Sequence, residues 1–399
     1  MPRSADPVVL VLNSGSSSLK FAIYRLNESL QPLYRGQLDS IGGDGRLQVS
    51  DGEGQVVQVQ TVTTDNHEQA MQRLLDWLAT QPSPLEITVA GHRVVHGGAR
   101  LYKPTLVSDD VIDYLRTLIP LAPNHQPPCL QGIAALQRLQ PGLMQIACFD
   151  TAFHHDRPAV EQRFALPDLP ELEAVRRYGF HGLSYEYIAS VLPDYLGEQA
   201  NGKIIVAHLG HGASLCALHQ RRSVATTMTF TPLDGIPMGT RCGAIDPTVV
   251  LYLQQQGMQP DEVSDLLYFQ SGLLGVSGSS DDMLTLLEQD SSGSRQAIEQ
   301  FVHHSVRAIG SLAAALEGLD ALVFTAGIGE HAAPVRAAIG ERCQWLGLRL
   351  DRDANNAGRT CISQANSPVQ AWVIGTDEEG MIAKHSLDLY NKHRPGIAS

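Results

Sequence analysis

Val8-Val-Leu-Val-Leu-Asn13-Ser-Gly-Ser-Ser-Ser-Leu-Lys20-Phe-Ala-Ile-Tyr24 is the stretch whose reading decides the fold. An apolar run stops at Asn13, and a turn of four Ser and one Gly follows. Leu19, Phe21 and Ile23 then alternate with Lys20, Ala22 and Tyr24. The pattern predicts strand, polar turn, strand: a hairpin. Its turn offers backbone N–H groups, hydroxyls and the Lys20 ammonium. These are the groups that hold a phosphate or a metal–phosphate. A plain Gly/Ser turn is the competing reading.

The pattern returns in Lys203-Ile-Ile-Val-Ala-His208-Leu-Gly-His211-Gly-Ala-Ser-Leu-Cys-Ala-Leu218, with one extra residue between the first Gly and the Ser-Leu. Two such hairpins predict duplicated domains facing one another across a phosphate-binding cleft, the actin and sugar-kinase architecture. Chance similarity of two Gly-bearing hairpins is the alternative. The predicted fold class is α/β, with duplicated actin-like (ribonuclease H-like) domains whose mixed sheets are flanked by helices.

At 399 residues and 43% hydrophobic content the chain can bury the cores of two or three domains. A formal charge of −13 argues against nucleic acid or an anionic membrane as partner. An anionic substrate then needs local clusters of Arg, Lys and His. Residues 1–7 are polar and expected to fray. The Val8–Leu12 run is too short for a signal or a membrane span, and no later run is long enough. A soluble, cytoplasmic protein is expected. The six Cys are scattered without a C-x-x-C and are expected to be reduced and mostly buried. His92 and His96 have metal-ligand spacing, but Gly97-Gly98 follows instead of more helix, which argues against ligation.

Further strands of the first sheet are expected over Leu33–Gln60, and a helix over His67–Thr80 with Asp65 or Asn66 as cap. Arg93 lies between Gly91 and Val94-Val95, a poor place for a solvated charge; a functional Arg and a surface Arg are the two readings. A helix over Val107–Leu121 ends in the rigid loop Ala122-Pro-Asn-His125-Gln-Pro-Pro128, which presents His125, and a helix over Cys129–Leu139 follows. The strand ending at Asp150 places a carboxylate where α/β sites often have one, a turn cap being the alternative. The first domain is expected to end there. His181, between an Arg pair and Gly182, reads as anion-facing or as structural, with Ser184 capping the next helix. Arg241 sits in a glycine-punctuated loop. Met283–Glu288 and Ile298–Leu316 are predicted helices. A strand from Ala321 leads into the Gly327–Gly329 turn, and a helix begins near Pro334, an arrangement that can take a nucleotide. Another strand ends in Glu378 and Glu379, and a helix over Met381–Tyr390 closes the chain.

Taken together, residues 13–21 (NSGSSSLKF), 91–98 (GHRVVHGG), 121–128 (LAPNHQPP), 149–154 (FDTAFH), 177–182 (RYGFHG), 208–214 (HLGHGAS), 237–247 (PMGTRCGAIDP), 324–331 (FTAGIGEH) and 376–383 (TDEEGMIA) resemble the acetate kinase family of carboxylate kinases. The motifs run in family order over nearly the whole chain. The resemblance implies a first domain over 1–150 that also receives the last helix, about 384–399. It implies a nucleotide-binding second domain over 151–383. It also implies Mg²⁺ (with Mn²⁺ as a substitute) near Asn13 and Glu378, and a phosphate hairpin using Ser16, Ser18 and Lys20. Arg93 and Arg241 are implied to hold the substrate carboxylate, Asp150 to be the catalytic aspartate, and His181 to stabilise the transferring phosphoryl group. An apolar pocket of Val95, Phe180 and Pro232, with His125 nearby, is implied for the alkyl group. ATP or ADP is implied to lie along His208, Leu209, Gly210, His211 and Gly212; along Asp282, Met283 and Leu284; and along Gly327, Ile328, Gly329, Glu330 and His331. A homodimer is implied, formed through the second domain.

The residues suit that chemistry independently. Phosphoryl transfer needs in-line positioning and cations around the equatorial oxygens. A carboxylate acceptor is ionised at neutral pH, so no general base is required. Asp150 is therefore expected to orient an Arg or the metal. Departures from the family pattern fall at His211 and Leu284, where Asn and Arg are usual, and at Asn124 and His331. Leu284 predicts weaker ATP binding or looser base selectivity. The expected reaction is acetate plus ATP giving acetyl phosphate plus ADP. Propionate or another short acid, or a catalytically weakened nucleotide- or metabolite-binding relative, are the rivals.

Overall fold

The computed structural model describes residues 5–289 and 291–393. The chain forms two compact units: Met1–Ala152 with Asp377–Ser399, and Phe153–Thr376. Of the residues expected to fray, 1–4 lie outside the described residues. Asp6 and Pro7 already belong to the first strand, because Asp6 N–H donates to Pro84 O at 2.9 Å and its carboxylate pairs with Arg25 at 3.2 Å.

The first unit carries β1 (Asp6–Ser14), β2 (Leu19–Arg25), β3 (Pro32–Leu38), β4 (Gly43–Asp51), β5 (Val56–Thr64), β6 (Leu85–Val94), β7 (Thr105–Leu106) and β8 (Met144–Phe149) in one sheet of order β5-β4-β3-β2-β1-β6-β8-β7. β1 pairs with β2 antiparallel and with β6 in parallel, and β6 pairs with β8 in parallel. Val8 to Leu12 are at most 1% exposed. That is why the stretch reads as a continuous apolar run: a central strand is covered on both faces. The second unit carries β9 (Lys203–Leu209), β10 (Ala213–His219), β11 (Arg222–Thr226), β12 (Ala321–Thr325) and β13 (Gln370–Val373), in the order β11-β10-β9-β12-β13. Strand order and direction repeat those of β3-β2-β1-β6-β8. The two hairpins are thus the same part of a duplicated sheet.

Helices cover these sheets. His67–Ala79 is capped by Asn66, whose Oδ1 accepts from Gln69 N at 3.0 Å. Its Met71, Leu74 and Trp77 pack with Leu10, Leu12 and Phe21 in the first core. The predicted helix over 107–121 is divided into Asp109–Thr117 and a 3-10 turn at Ile119–Leu121, because Pro120 has no N–H with which to continue the ladder. The next helix begins earlier than expected, at Gln126, since prolines are tolerated in a first turn whose N–H groups have no intrahelical partner. The long helix also begins earlier, at Ser292, capped by Ser291. The final helix, Glu378–His393, packs on β1, β6 and β8. Gly91 permits this: a Cβ there would lie 2.3 Å from Ser386 Oγ and 2.6 Å from Ile382 Cγ2. Positions 394–399 of the segment expected to join the first domain lie outside the described residues. In the second core Tyr185, Ile188 and Leu192 pack on Val206, Cys216 and Val323. Among the described residues no helix is long and apolar enough to cross a membrane. All six Cys are free thiols, four of them buried.

Candidate active site

In the first unit, adjacent parallel strands β1, β6 and β8 end side by side. Their ends bring Asn13, Arg93 and Asp150 together, at the carboxyl edge where α/β sheets place ligands. Asp150 is buried, and its carboxylate accepts from Arg93 Nε at both oxygens, Oδ1 at 3.0 Å and Oδ2 at 3.2 Å, and from Nη2 at Oδ2 at 2.6 Å. Such a forked pair fixes the guanidinium plane. Arg93 Nη1 reaches Asn13 Oδ1 at 3.4 Å, and Arg93 Nε lies 3.9 Å from Glu378 Oε2. Burial alone would pull the Arg93 pKa down; Asp150 and Glu378 outweigh it and hold the charge. Burial lifts the Glu378 carboxyl to about 7, against the pull of Arg93; nearby Asp150 and Glu379 push the same way as burial, and Lys20 opposes them.

The hairpin turn between β1 and β2 closes through Gly15 N–H to Ser18 O at 2.8 Å. Ser16 and Lys20 are exposed and Ser18 is half-buried. His67 donates to Gly15 O at 2.7 Å and so anchors the turn, a role without any local sequence signal. Val95 is buried, and the loop bearing His125 is tied to the neighbouring segment by Gln126. Gln126 is fully buried; it accepts from His96 N at 3.2 Å and donates to His96 O at 3.1 Å. Gln126 was missed in the sequence because both partners are 30 residues away. His92 and His96 are not a metal pair. His92 donates to Gln145 Oε1 at 2.8 Å, His96 Nδ1 accepts from Gly98 N at 2.9 Å, and burial lowers both pKa values to about 4. Among the described residues no group of three or more His, Cys, Asp or Glu is placed to hold a metal. The oxygen pair of Asn13 and Glu378 nevertheless suits Mg²⁺, which takes one or two carboxylates and keeps several waters.

In the second unit, His181 takes a left-handed backbone (φ 56°) at the N-cap of Gly182–Leu196. Its ring stacks on His208 with centroids 4.2 Å apart. Ser184 does not cap this helix. It lies inside the first turn, fully buried, with Oγ 2.8 Å from His208 Nδ1 and 2.9 Å from Thr376 Oγ1. The helix buries Tyr185, Ile188, Ala189 and Leu192, while Tyr187 and Val191 are half-buried at its edge. Phe180 is buried, and its carbonyl accepts from His154 Nε2 at 2.9 Å. A Cβ built on Gly212 would lie 3.5 Å from both His181 Nε2 and Arg241 Nη1, so these two groups flank the turn. Arg241 Nη1 donates to the carbonyl of buried Pro232 at 2.9 Å. The Arg241 loop rests on the next segment, with Met238 O accepting from Leu273 N at 2.9 Å. Gly272 (φ 62°) makes this approach possible: a Cβ there would sit 2.1 Å from Met238 O. Sequence reading missed Gly272, which looks like any loop glycine.

The expected nucleotide segments divide by role. His211 packs on Gly239, whose added Cβ would meet the ring at 2.5 Å, and pairs with Asp281 at 2.9 Å in an exposed contact. Asp282 is a helix cap, accepting from Thr285 N at 2.8 Å; Met283 is buried and Leu284 is half exposed. The expected Gly turn is a short helix, Ala326–His331. Its Glu330 carboxylate accepts from Ala326 N at 2.9 Å and Thr376 N at 3.3 Å, so its charge is spent on backbone. Gly329 is buried, Ile328 half-buried, and Gly327 and His331 exposed. Leu209 is buried, His208 nearly so, and Gly210 half-buried.

Comparison with known proteins agrees with this arrangement. A model of the Acetokinase family matches residues 8–384. An acetate kinase of Rhodopseudomonas palustris (strain TIE-1) is 51% identical over 95% of this chain and 97% of its own length. One from Methylocella silvestris is 47% identical over 96% and 98%. Among solved structures, a propionate kinase from Francisella tularensis superposes with a TM-score of 0.90 at 36% identity, covering 96% of this chain and 99% of its own. Porphyromonas gingivalis acetate kinase gives 0.86 at 34%, with the same coverage. With two repeated sheets and the Asn13–Arg93–Asp150 strand ends in place, the chain belongs to the acetokinase family.

Proposed function

We propose that the protein catalyses reversible phosphoryl transfer from ATP to acetate, giving acetyl phosphate and ADP, with Mg²⁺ as cofactor. The observation that carries this reading is the Arg93–Asp150 fork. A buried carboxylate fixes Arg93 through Nε and Nη2, while Nη1 carries a 3.4 Å contact to Asn13 and the side chain stays 22% exposed. Such an arginine is held ready to bind a second, exchangeable carboxylate. Asp150 is therefore the group that orients Arg93. Acetate, with a pKa near that of Glu, about 4–5, arrives as a nucleophile and asks for no base. Val95 and Phe180 with Pro232 offer the apolar contacts for its methyl group. His181 and Arg241 supply positive charge and hydrogen bonds to the transferring group, the main contribution a protein makes to this reaction. Asn13 and Glu378 are the residues that would hold Mg²⁺, which when bound neutralises charge on the phosphate oxygens. Ser16, Ser18 and Lys20 serve the phosphoryl path. The segments 208–212, 282–284 and 327–331 serve the nucleotide, making Phe153–Thr376 the nucleotide-binding unit. ATP as co-substrate points to the cytoplasm.

The reading includes a homodimer formed through the second unit. It is supported by the Pro247–Gln255 helix, which buries none of its residues and leaves Val249, Leu251 and Tyr252 exposed, with Ile245 and Phe269 exposed on neighbouring segments. The deciding test is a hydroxamate assay for acyl phosphate with formate, acetate, propionate and butyrate, each with ATP, GTP and pyrophosphate. Acetate with ATP is expected to give the highest kcat/KM. Propionate ranking first would move the assignment to the neighbouring activity, and no acyl phosphate from any pair would overturn it.

A further inference from the structure

His181 and His208 are held by a crossed pair of buried serines. His181, at the N-cap of Gly182–Leu196, has its Nδ1 2.8 Å from Ser214 Oγ on β10. His208, on β9, has its Nδ1 2.8 Å from Ser184 Oγ on the helix that His181 caps. Each imidazole is thus tied to the element carrying the other, and Ser214 and His208 are paired residues of the β9–β10 hairpin. Both serines are fully buried. Ser214 Oγ lies a further 2.6 Å from the hydroxyl of Tyr185, itself fully buried. The rings stack with an interplanar angle of 24°. Two cationic rings at that separation would repel, so the stack favours a neutral partner.

The distances along Tyr185–Ser214–His181 allow the following arrangement with a neutral ring. Tyr185 donates to Ser214 Oγ, Ser214 donates to His181 Nδ1, and the ring proton resides on Nε2. Nε2 is the atom beside Gly212, on the same turn that Arg241 Nη1 approaches. We propose that Ser214 and Tyr185 are positioning residues that hold His181 in the neutral Nε2–H form, so that it meets the transferring phosphoryl group as a hydrogen-bond donor while Arg241 supplies the full charge. Ser184 does the same for His208. The role in phosphoryl transfer rests on the proposed function; the tautomer does not, and it is read separately.

The test is a ¹⁵N-imidazole spectrum of the full-length protein at neutral pH, with the His181 signals assigned by their loss in His181→Asn. The expected spectrum has a protonated Nε2 and a bare Nδ1 for His181. Ser214→Ala is expected to mix the tautomers and lower kcat ten- to hundredfold while leaving the KM for acetate within twofold. Tyr185→Phe, which removes only the hydroxyl, should do the same more weakly and covers the case in which Ser214→Ala does not fold. Ser184→Ala should move the His208 signals and leave the His181 tautomer in place. In kinetics, Ser214→Ala added to His181→Ala should cost nothing more. An Nδ1–H or doubly protonated His181, an unchanged tautomer in both Ser214→Ala and Tyr185→Phe, or losses that multiply in the double variant would each overturn the proposal. Failure to form any acyl phosphate would remove the functional reading and leave the tautomer result standing.

Discussion

Replacing Asp150 with Asn tests the central pair most directly. The side chain keeps its shape and one acceptor oxygen but loses its charge and its second acceptor. Arg93 gives Asp150 bonds of 3.0 and 2.6 Å in a buried setting. A hydrogen bond to a charged group contributes about 1.5–3 kcal/mol, so losing one bond of the fork and the charge behind it costs about 2–3 kcal/mol. If that energy is spent on holding Arg93 for the acceptor, kcat/KM for acetate falls roughly 30- to 150-fold, at 1.36 kcal/mol per tenfold. Initial rates in the hydroxamate assay across pH 6 to 9 give the measurement, with thermal unfolding as the check on folding. The loss should be the same at every pH, because Asp150 carries no proton in the reaction. Arg93→Ala should be at least as damaging, and adding Asp150→Asn to it should cost little, since the two act as one unit. Recovery of the Asp150→Asn rate as pH rises, or losses that multiply in the double variant, would refute the assignment of Asp150 as the group that orients Arg93.

Other outcomes follow from single positions. Gly272→Ala places a Cβ 2.1 Å from Met238 O at φ 62°, so the Arg241 loop must shift; a loss of tenfold or more in kcat/KM is expected, with a fall in unfolding free energy of about 1–3 kcal/mol by urea titration. His154 is neutral when folded, its pKa lowered to about 3 by burial and by Arg157, against about 6.5 unfolded. The unfolded chain therefore takes up a proton that the folded chain refuses, and stability falls as pH drops from about 6.5 toward 3. His154→Asn cannot protonate, and should remove about 2 kcal/mol of the stability difference between pH 7 and pH 5, measured by urea unfolding at both. Tyr252→Glu puts a charge on the exposed Pro247–Gln255 face and should shift the sedimentation-velocity profile toward monomer at micromolar concentration; an unchanged profile would place self-association elsewhere.

The duplicated hairpin was legible because both cues are local: a continuous apolar run and a Gly/Ser turn are read within about 15 residues. The same holds for Asn66 as cap and for the strand ending at Asp150. The helix starts at Gln126 and Ser292 were set too late because the apolar periodicity begins after the first turn, which Pro and Ser residues occupy. Ser184 looks like a cap because Ser commonly is one, yet its hydroxyl is committed to His208, 24 residues away, and to Thr376. Glu330 and Asp282 stood in expected nucleotide segments, but their carboxylates hold backbone N–H groups of their own loops. His67, Gln126 and Gly272 carry no local mark at all. Each acts on a partner brought near only by tertiary folding, so no window of sequence contains both halves of the interaction.

The docking of Glu378–His393 on β1, β6 and β8, over Gly91, has a consequence for synthesis. The sheet that β1 begins is covered by a helix synthesised only after the whole of the second unit. The second unit is one uninterrupted piece of chain and can complete its core earlier. The first must wait until Glu378–His393 has been made, with β1, β6 and β8 meanwhile lacking that cover. Glu378 arrives on that same helix, so a nascent chain truncated between Asp150 and Glu378 holds the arginine and the hairpin but lacks one of the oxygens we assign to the metal. Docking of Glu378–His393 and completion of the first unit's group of polar side chains are one event, and a chain released before that helix is made is left with an unfinished sheet that quality-control proteases can recognise.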